Sequence, residues 1–247
     1  MIRKEYPSAN FENYRISRNP YAGRVVELQN AQPRATIYGD AATEQQRGKW
    51  REHYGMPENT FLQLELGAYH GETALALARQ NPTHFILAAE WKFKQCYRGG
   101  KKAFDQKITN LCFLRANMAR LPWVVAPGEV DRIWILFPDP WSGMSQQKWR
   151  ILQPEFLRTL ACLLKEGKEL MIKTDHAEYA EFICKSITEA ACFDYMSNEA
   201  GQAIFNSIPP THFEKFFLKQ NIKINSFALR RNGNLVVPPT KVQQILH

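Results

Sequence analysis

From residue 60 onward, segments of strand length alternate with segments of helix length, and that alternation limits what this chain can fold into. FLQLELGA (61–68) is an apolar run with glycine near its end, and GETALALARQNP (71–82) is a helical segment that Asn-Pro stops. HFILAAEW (84–91) is a second strand and FKQCYRGGKKAFDQKI (93–108) a second helix. LCFLRAN (111–117) and DRIWILFPDP (131–140) are the third and fourth strands. QPEFLRTLACLLKEGK (153–168) has proline in its first turn and glycine at its end, the punctuation of a helix. ELMIKTD (169–175) is the fifth strand, and HAEYAEFICKSITEAAC (176–192) the helix after it. Strands alternating with helices predict βαβ units. The expected fold is α/β: a doubly wound, mostly parallel sheet with helices on both faces.

Residues 1–58 do not share this rhythm. They are rich in Arg, Asn, Gln and Pro, with Arg3, Lys4, Arg15, Arg18, Arg24 and Arg34 spread through them. The expected organisation is a basic N-terminal extension (1–58) followed by one α/β domain (59–247), which suits a chain of 247 residues. No apolar run approaches the ~20 residues of a membrane span, and the N-terminus lacks a signal-peptide core. The chain is therefore expected to be cytoplasmic and independent of membranes. Its five cysteines are scattered without a C-x-x-C pair, which predicts reduced thiols and neither a zinc site nor a disulfide framework. A formal net charge of +8 favours a polyanionic partner, nucleic acid before membrane surface.

In open parallel sheets ligands bind outside the carboxyl ends of the strands. Glu65 and Gly67 end the first strand and Glu90 ends the second; Asn117 follows the third, Asp139 the fourth and Asp175 the fifth. Four carboxylates on one rim repel each other unless a cationic or hydroxyl-rich ligand lies among them. A glutamate closing the second strand suits a ribose, whose two hydroxyls donate to one carboxylate. The simpler reading of any one of these acids is a helix cap or a solvated loop residue. Between Pro138 and Pro140, Asp139 is the most restricted of the set.

LELGAYHGETALALARQNPTHFILAAEW, FPDPW, PEFL, TDHAEYAEF and THFEK follow one another in this order. Together they resemble the tRNA (guanine-N7)-methyltransferase family over roughly residues 60–231. The first-loop pattern is shared by many nucleotide-binding folds; F-P-D-P-W followed at this distance by T-D and T-x-F-E is specific. The resemblance implies a Rossmann-like class I methyltransferase that takes a methyl group from S-adenosylmethionine to N7 of a guanine in the tRNA variable loop, guanine-46. Matched position by position, it puts Glu65, Gly67 and Gly71 around the methionine end of the cofactor and Glu90 on its ribose. Asn117 falls near the adenine, and Asp139 serves both cofactor binding and catalysis. Substrate contacts fall to Lys148, Arg150, Asp175 and the segment Thr211, His212, Phe213 and Glu214. Trp141 either packs beneath its loop or stacks on a base. No metal is implied, and monomer and homodimer remain open.

The chain departs from that family at three places. Tyr69 stands for the middle glycine of the first loop. A non-glycine residue at positive φ costs roughly 1–2 kcal/mol, which predicts cofactor binding about 5- to 30-fold weaker. Gly143, Ser145 and Trp149 occupy usually basic positions of the loop after FPDPW, removing phosphate contacts. Asn117 replaces an aspartate, and His212 replaces a lysine, giving up charge at both positions. These departures keep a second reading alive: a catalytically degenerate relative that acts as an RNA- or protein-binding module.

Overall fold

The computed structural model describes residues 19–234. In chain order these form α1 (Pro20–Ala31), β1 (Thr36–Ile37), α2 (Asp40–Glu44), α3 (Trp50–His53), β2 (Leu62–Leu66), α4 (Glu72–Gln80), β3 (Phe85–Glu90), α5 (Phe93–Asp105), β4 (Leu111–Arg115) and α6 (Leu121–Val124). Then come β5 (Val130–Leu136), α7 (Pro154–Leu163), β6 (Leu164–Thr174), α8 (Ala177–Ala190), β7 (Phe193–Tyr195), α9 (Asn198–Asn206), α10 (His212–Lys219) and β8 (Asn225–Arg231). The strands make a mostly parallel, eight-stranded sheet flanked by helices; the α/β class and five of the strands follow from the alternation, whereas β1, β7 and β8 do not. Among the described residues no helix is long and apolar enough to cross a membrane.

Two compact units divide the chain. The first joins the described residues up to Thr60 with Ala68–Val125. Its strands run in the order β1-β4-β3, all parallel. The segment assigned to an extension therefore contributes to it from residue 20 onward. Asn19 accepts the Tyr21 N–H at 3.0 Å and Pro20 fills the first turn, so α1 starts with a capped end. Ala22, Val25 and Leu28 recur at helical spacing and are buried. Phe113 N–H donates to the Ala35 carbonyl at 3.0 Å, and the Thr36 hydroxyl to the Phe113 carbonyl at 3.1 Å, tying β1 to β4. Sequence periodicity misses a strand of two residues because it is too short to alternate. Arg3, Lys4, Arg15 and Arg18 lie outside the described residues.

The second unit is Phe61–Gly67 with the chain from Ala126 onward. Here β2, β5 and β6 are parallel neighbours, while β8 pairs antiparallel with both β6 and β7. Inside it, Trp134 is fully buried and its Nε1 donates to Gln63 at 2.8 Å, so a polar pair in the core is satisfied. The helix expected over 153–168 ends earlier, at Leu163. Leu164 turns extended, and LKEGK opens the long strand β6 with Gly167 at φ 72°. Val130 faces Leu164 but Arg132 faces Glu169, so residues 165–168 bulge from the ladder. Lys165 at 2.9 Å and Lys168 at 3.8 Å pair there with the buried Asp131. The glycine read as a helix stop thus serves a bulge, which local pattern does not distinguish.

Candidate active site

In the first unit the loop between β2 and α4 meets the end of β3. Glu90 is buried, and both its oxygens are held by backbone: Oε2 accepts the Tyr69 N–H at 2.9 Å and Oε1 the Lys92 N–H at 2.8 Å. Burial pushes its carboxyl above the ordinary glutamate range, opposed by those N–H groups and the Lys92 charge. Each oxygen keeps a lone pair for a further donor. Tyr69 adopts φ 48°, the left-handed conformation expected of the glycine it replaces. The residue is 44% exposed and its ring stacks on His70 at 3.9 Å between centroids. Gly71, at φ 75°, starts α4, and a Cβ there would overlap the ring of Phe113. Asn117 accepts the Ala119 N–H at 2.9 Å, so its oxygen caps the short turn Met118–Arg120.

Sequence reasoning missed a neighbour of this group. Arg115 closes β4 in register with Glu90, is buried, and lies 4.1 Å from the centroid of Trp91 and 4.0 Å from that of Phe93. Stacking on aromatic faces offsets the loss of water around its charge. Nothing in the sequence around it signals an arginine turned inward.

In the second unit Glu65 is buried in β2 and Gly67 follows at φ 74°. The loop leaving β5 carries Asp139. Two non-glycine residues at positive φ bracket it, Phe137 at 54° and Trp141 at 42°, with Pro138 and Pro140 between them. At roughly 1–2 kcal/mol each, such residues persist only where surrounding contacts over-determine them. Those contacts are present. Phe137 N–H donates to the Lys173 carbonyl at 2.8 Å. Arg150 Nε donates to the Pro140 carbonyl at 2.8 Å, and its Nη2 pairs with Glu178 at 3.0 Å. The Arg150 guanidinium lies 5.1 Å from the Tyr179 ring and 5.2 Å from that of Phe182. Gln147 joins at Glu178, 2.7 Å. Trp141 is half-buried and meets Trp149 edge-on at 5.2 Å. On this braced loop Asp139 is exposed, and it makes no hydrogen bond or ion pair among the described residues.

Arg150, read in the sequence as a substrate contact, is thus 1% exposed and engaged beneath its own loop, whereas Lys148 is exposed. The signal for this lies in Glu178 and Tyr179, on a helix far along the chain. Asp175, half-buried, follows β6. Lys173 Nζ donates to Glu214 Oε1 at 2.6 Å, both side chains being buried. Thr211 accepts the Glu214 N–H at 3.0 Å and so caps α10, which fixes the T-x-F-E segment as a helix start. Glu214 Oε2 has no hydrogen-bond partner among the described residues. His212 and Phe213 are exposed on that helix. Lys173 therefore joins two parts of the unit, its carbonyl holding Phe137 and its ammonium holding Glu214. The second unit gathers Asp139, Arg150, Lys173, Thr211 and Glu214; the first gathers Tyr69, Gly71, Glu90 and Asn117.

The model of the family Methyltransf_4, described as "Putative methyltransferase", matches residues 59–226. The chain belongs to this family. It is the same kinship that its motifs resemble. Relatives include a tRNA (guanine-N(7)-)-methyltransferase of Christiangramia forsetii, 33% identical over 52% of this chain and 57% of that protein. Another, of Bdellovibrio bacteriovorus, is 28% identical over 75% of this chain and 90% of that protein. A bifunctional glycosyltransferase/methyltransferase of Fusobacterium nucleatum is 26% identical over 90% of this chain. The chain spans only 34% of that relative's length. Among solved structures, the 16S rRNA methyltransferase KamB superposes with a TM-score of 0.52 at 19% identity, covering 79% of this chain and 94% of KamB. That likeness establishes the class I Rossmann-like fold.

Proposed function

We propose that this family member transfers the methyl group of S-adenosylmethionine to N7 of a guanine in the tRNA variable loop, guanine-46, in the cytoplasm. The observation that carries the reading is Asp139: an exposed carboxylate without an ion-pair partner among the described residues, on a strained loop braced by Lys173, Arg150 and Glu178. The residues present fit the cofactor. Glu90 keeps acceptor capacity for two ribose hydroxyls, and Gly71, with no Cβ, lets the start of α4 pack against the Phe113 ring beside that loop. Glu65 and Gly67 serve the methionine end, and Asn117 retains its amide NH2 for the adenine.

When bound, S-adenosylmethionine supplies an electrophilic methyl: N7 donates its lone pair, the S–C pair returns to sulfur, and the positive charge moves onto the purine. N7 carries no proton, so no general base is required. The protein's work is alignment and charge. Asp139 orients the guanine edge and stabilises the cationic purine, and a loop fixed in advance does this without reorganising. Asp175, Thr211, His212, Phe213, Glu214 and Lys148 contact the RNA, while Arg150 acts through the loop it braces. The positive charge of the chain supports an RNA partner.

The loop after FPDPW, with Gly143, Ser145 and Trp149 at usually basic positions, favours the second reading, a relative that binds RNA or protein without catalysis. Unmodified tRNA incubated with the protein and labelled S-adenosylmethionine, then digested to nucleosides, separates the two. Labelled 7-methylguanosine is expected. Tight tRNA binding with no labelled nucleoside would select the second reading.

A further inference from the structure

Helix α10 turns two kinds of face outward and inward. Inward, Glu214 is tied to Lys173, and Phe217 meets Phe137, one residue before Pro138, at 5.6 Å. Outward, Phe213 is 41% and Phe216 51% exposed. Three residues apart, they neighbour each other on one helix face. Phe216 also packs edge-on against Phe217 at 5.6 Å, so its ring stands on a braced base. Lys215 and Lys219 are exposed on the same helix, and Lys223 is exposed just beyond it. The helix's one carboxylate, Glu214, is buried.

Exposed apolar rings rimmed by cations mark an interaction surface. From this we infer that the outer face of α10 is a stacking platform for an unpaired nucleobase flanking the guanine that reacts, with Lys215 and Lys219 on its phosphates. The inference rests on the RNA reading above. Aromatic rings accept any base on its π-face, and RNA recognition targets unstacked bases of loops. The charge selects this occupant. A second copy of the chain would set lysines of one α10 against those of the other, whereas a phosphate backbone complements them. Continuity with the candidate site supports the same choice, since Thr211 and Glu214 lie on the first turn of this helix and Phe217 touches the Asp139 loop.

The test measures anisotropy of labelled, unmodified tRNA and of a 12-nucleotide oligouridylate with the full chain, across a salt series. Phe216→Ala and the double variant Phe213→Ala/Phe216→Ala are expected to weaken both RNAs by roughly 5- to 100-fold, the scale of lost stacking. The salt slope should stay unchanged, because no phosphate contact is lost. Phe216→Trp should restore affinity, and Lys215→Ala/Lys219→Ala should flatten the slope. Wild-type RNA affinity in the alanine variants would overturn the platform. So would a dimer seen by light scattering that the double variant dissolves, which would assign the face to self-association. Methyl transfer by the wild-type protein is scored separately. Stacking without methylation would sink the catalytic reading alone, and methylation with indifferent phenylalanines would sink the platform alone.

Discussion

Arg150 donates from Nε to the Pro140 carbonyl at 2.8 Å, so a buried guanidinium holds the backbone next to Asp139. The motif resemblance implies a substrate contact at this position. Here its charge is spent within the protein, on Pro140 and Glu178, between the rings of Tyr179 and Phe182. Under the proposed function Arg150 is a positioning residue. Arg150→Ala should lower kcat by up to about 100-fold, the cost of misplacing a catalytic group by about 1 Å. It should also cost about 1–3 kcal/mol of stability by removing the hydrogen bond to the Pro140 carbonyl and the charged one to Glu178. The salt dependence of tRNA binding should not change. A variant of unchanged stability whose salt slope falls by one phosphate would instead make Arg150 an RNA contact.

Asp139 gives the opposite pattern. Its side chain is exposed and pairs with nothing among the described residues, so Asp139→Ala should alter stability by no more than about 0.5 kcal/mol. Turnover should fall at least ~100-fold, the usual cost of losing an electrostatic partner of the transition state. Single-turnover kinetics alongside thermal melts check both. Near-normal turnover would remove Asp139 from the mechanism.

Glu90 and Tyr69 share one hydrogen bond and make one pH-dependent prediction. Ribose hydroxyls donate to the ionised carboxylate, so cofactor affinity should be full above the Glu90 pKa and decline as pH falls through it. Burial raises that pKa, so the decline should begin above the ordinary glutamate range. For folding the sign is reversed. A raised carboxyl pKa gives stability that is present at acid pH and is lost as pH rises through the folded value. Glu90→Ala should weaken binding by about 10- to 100-fold and abolish this pH dependence. Tyr69 already adopts φ 48° with its N–H on Glu90, so its strain is incurred in folding rather than on binding. Tyr69→Gly should therefore change cofactor affinity by less than about 5-fold. Relief of about 1–2 kcal/mol and the greater entropy loss of glycine both fall on folding stability, where they largely offset each other. Calorimetry at several pH values decides both; a large tightening by Tyr69→Gly would restore the expectation drawn from the sequence.

The first 18 residues carry Arg3, Lys4, Arg15 and Arg18, enough charge to replace what Gly143 and Ser145 leave out of the loop. Deleting residues 1–18 should lower tRNA affinity and flatten its salt dependence, with cofactor binding unchanged. A deletion to residue 36 is a different experiment. It removes the buried face of α1 and half of β1, and the protein should lose cooperative unfolding or melt well below the full chain. Equal affinity and equal slope after the shorter deletion would leave the basic segment without an RNA role.

The sequence by itself determined the alternation of strands and helices, and with it a sheet whose strand ends carry Glu65, Glu90, Asn117, Asp139 and Asp175. Periodicity and punctuation are local, so they are legible wherever an element is long enough to repeat. Only the tertiary structure decided what depends on partners distant in the chain. Lys173 and Glu214 are 41 residues apart, and Arg150 and Glu178 are 28 apart, yet each pair forms one contact. A charged residue read alone is assumed to face water; whether it turns inward depends on the groups that would compensate its lost hydration, as for Arg115 between Trp91 and Phe93. The same holds for β1, which is too short to show a pattern and exists because β4 offers it hydrogen bonds. It holds too for Tyr69, whose left-handed backbone is set by the turn and by Glu90 against its own preference.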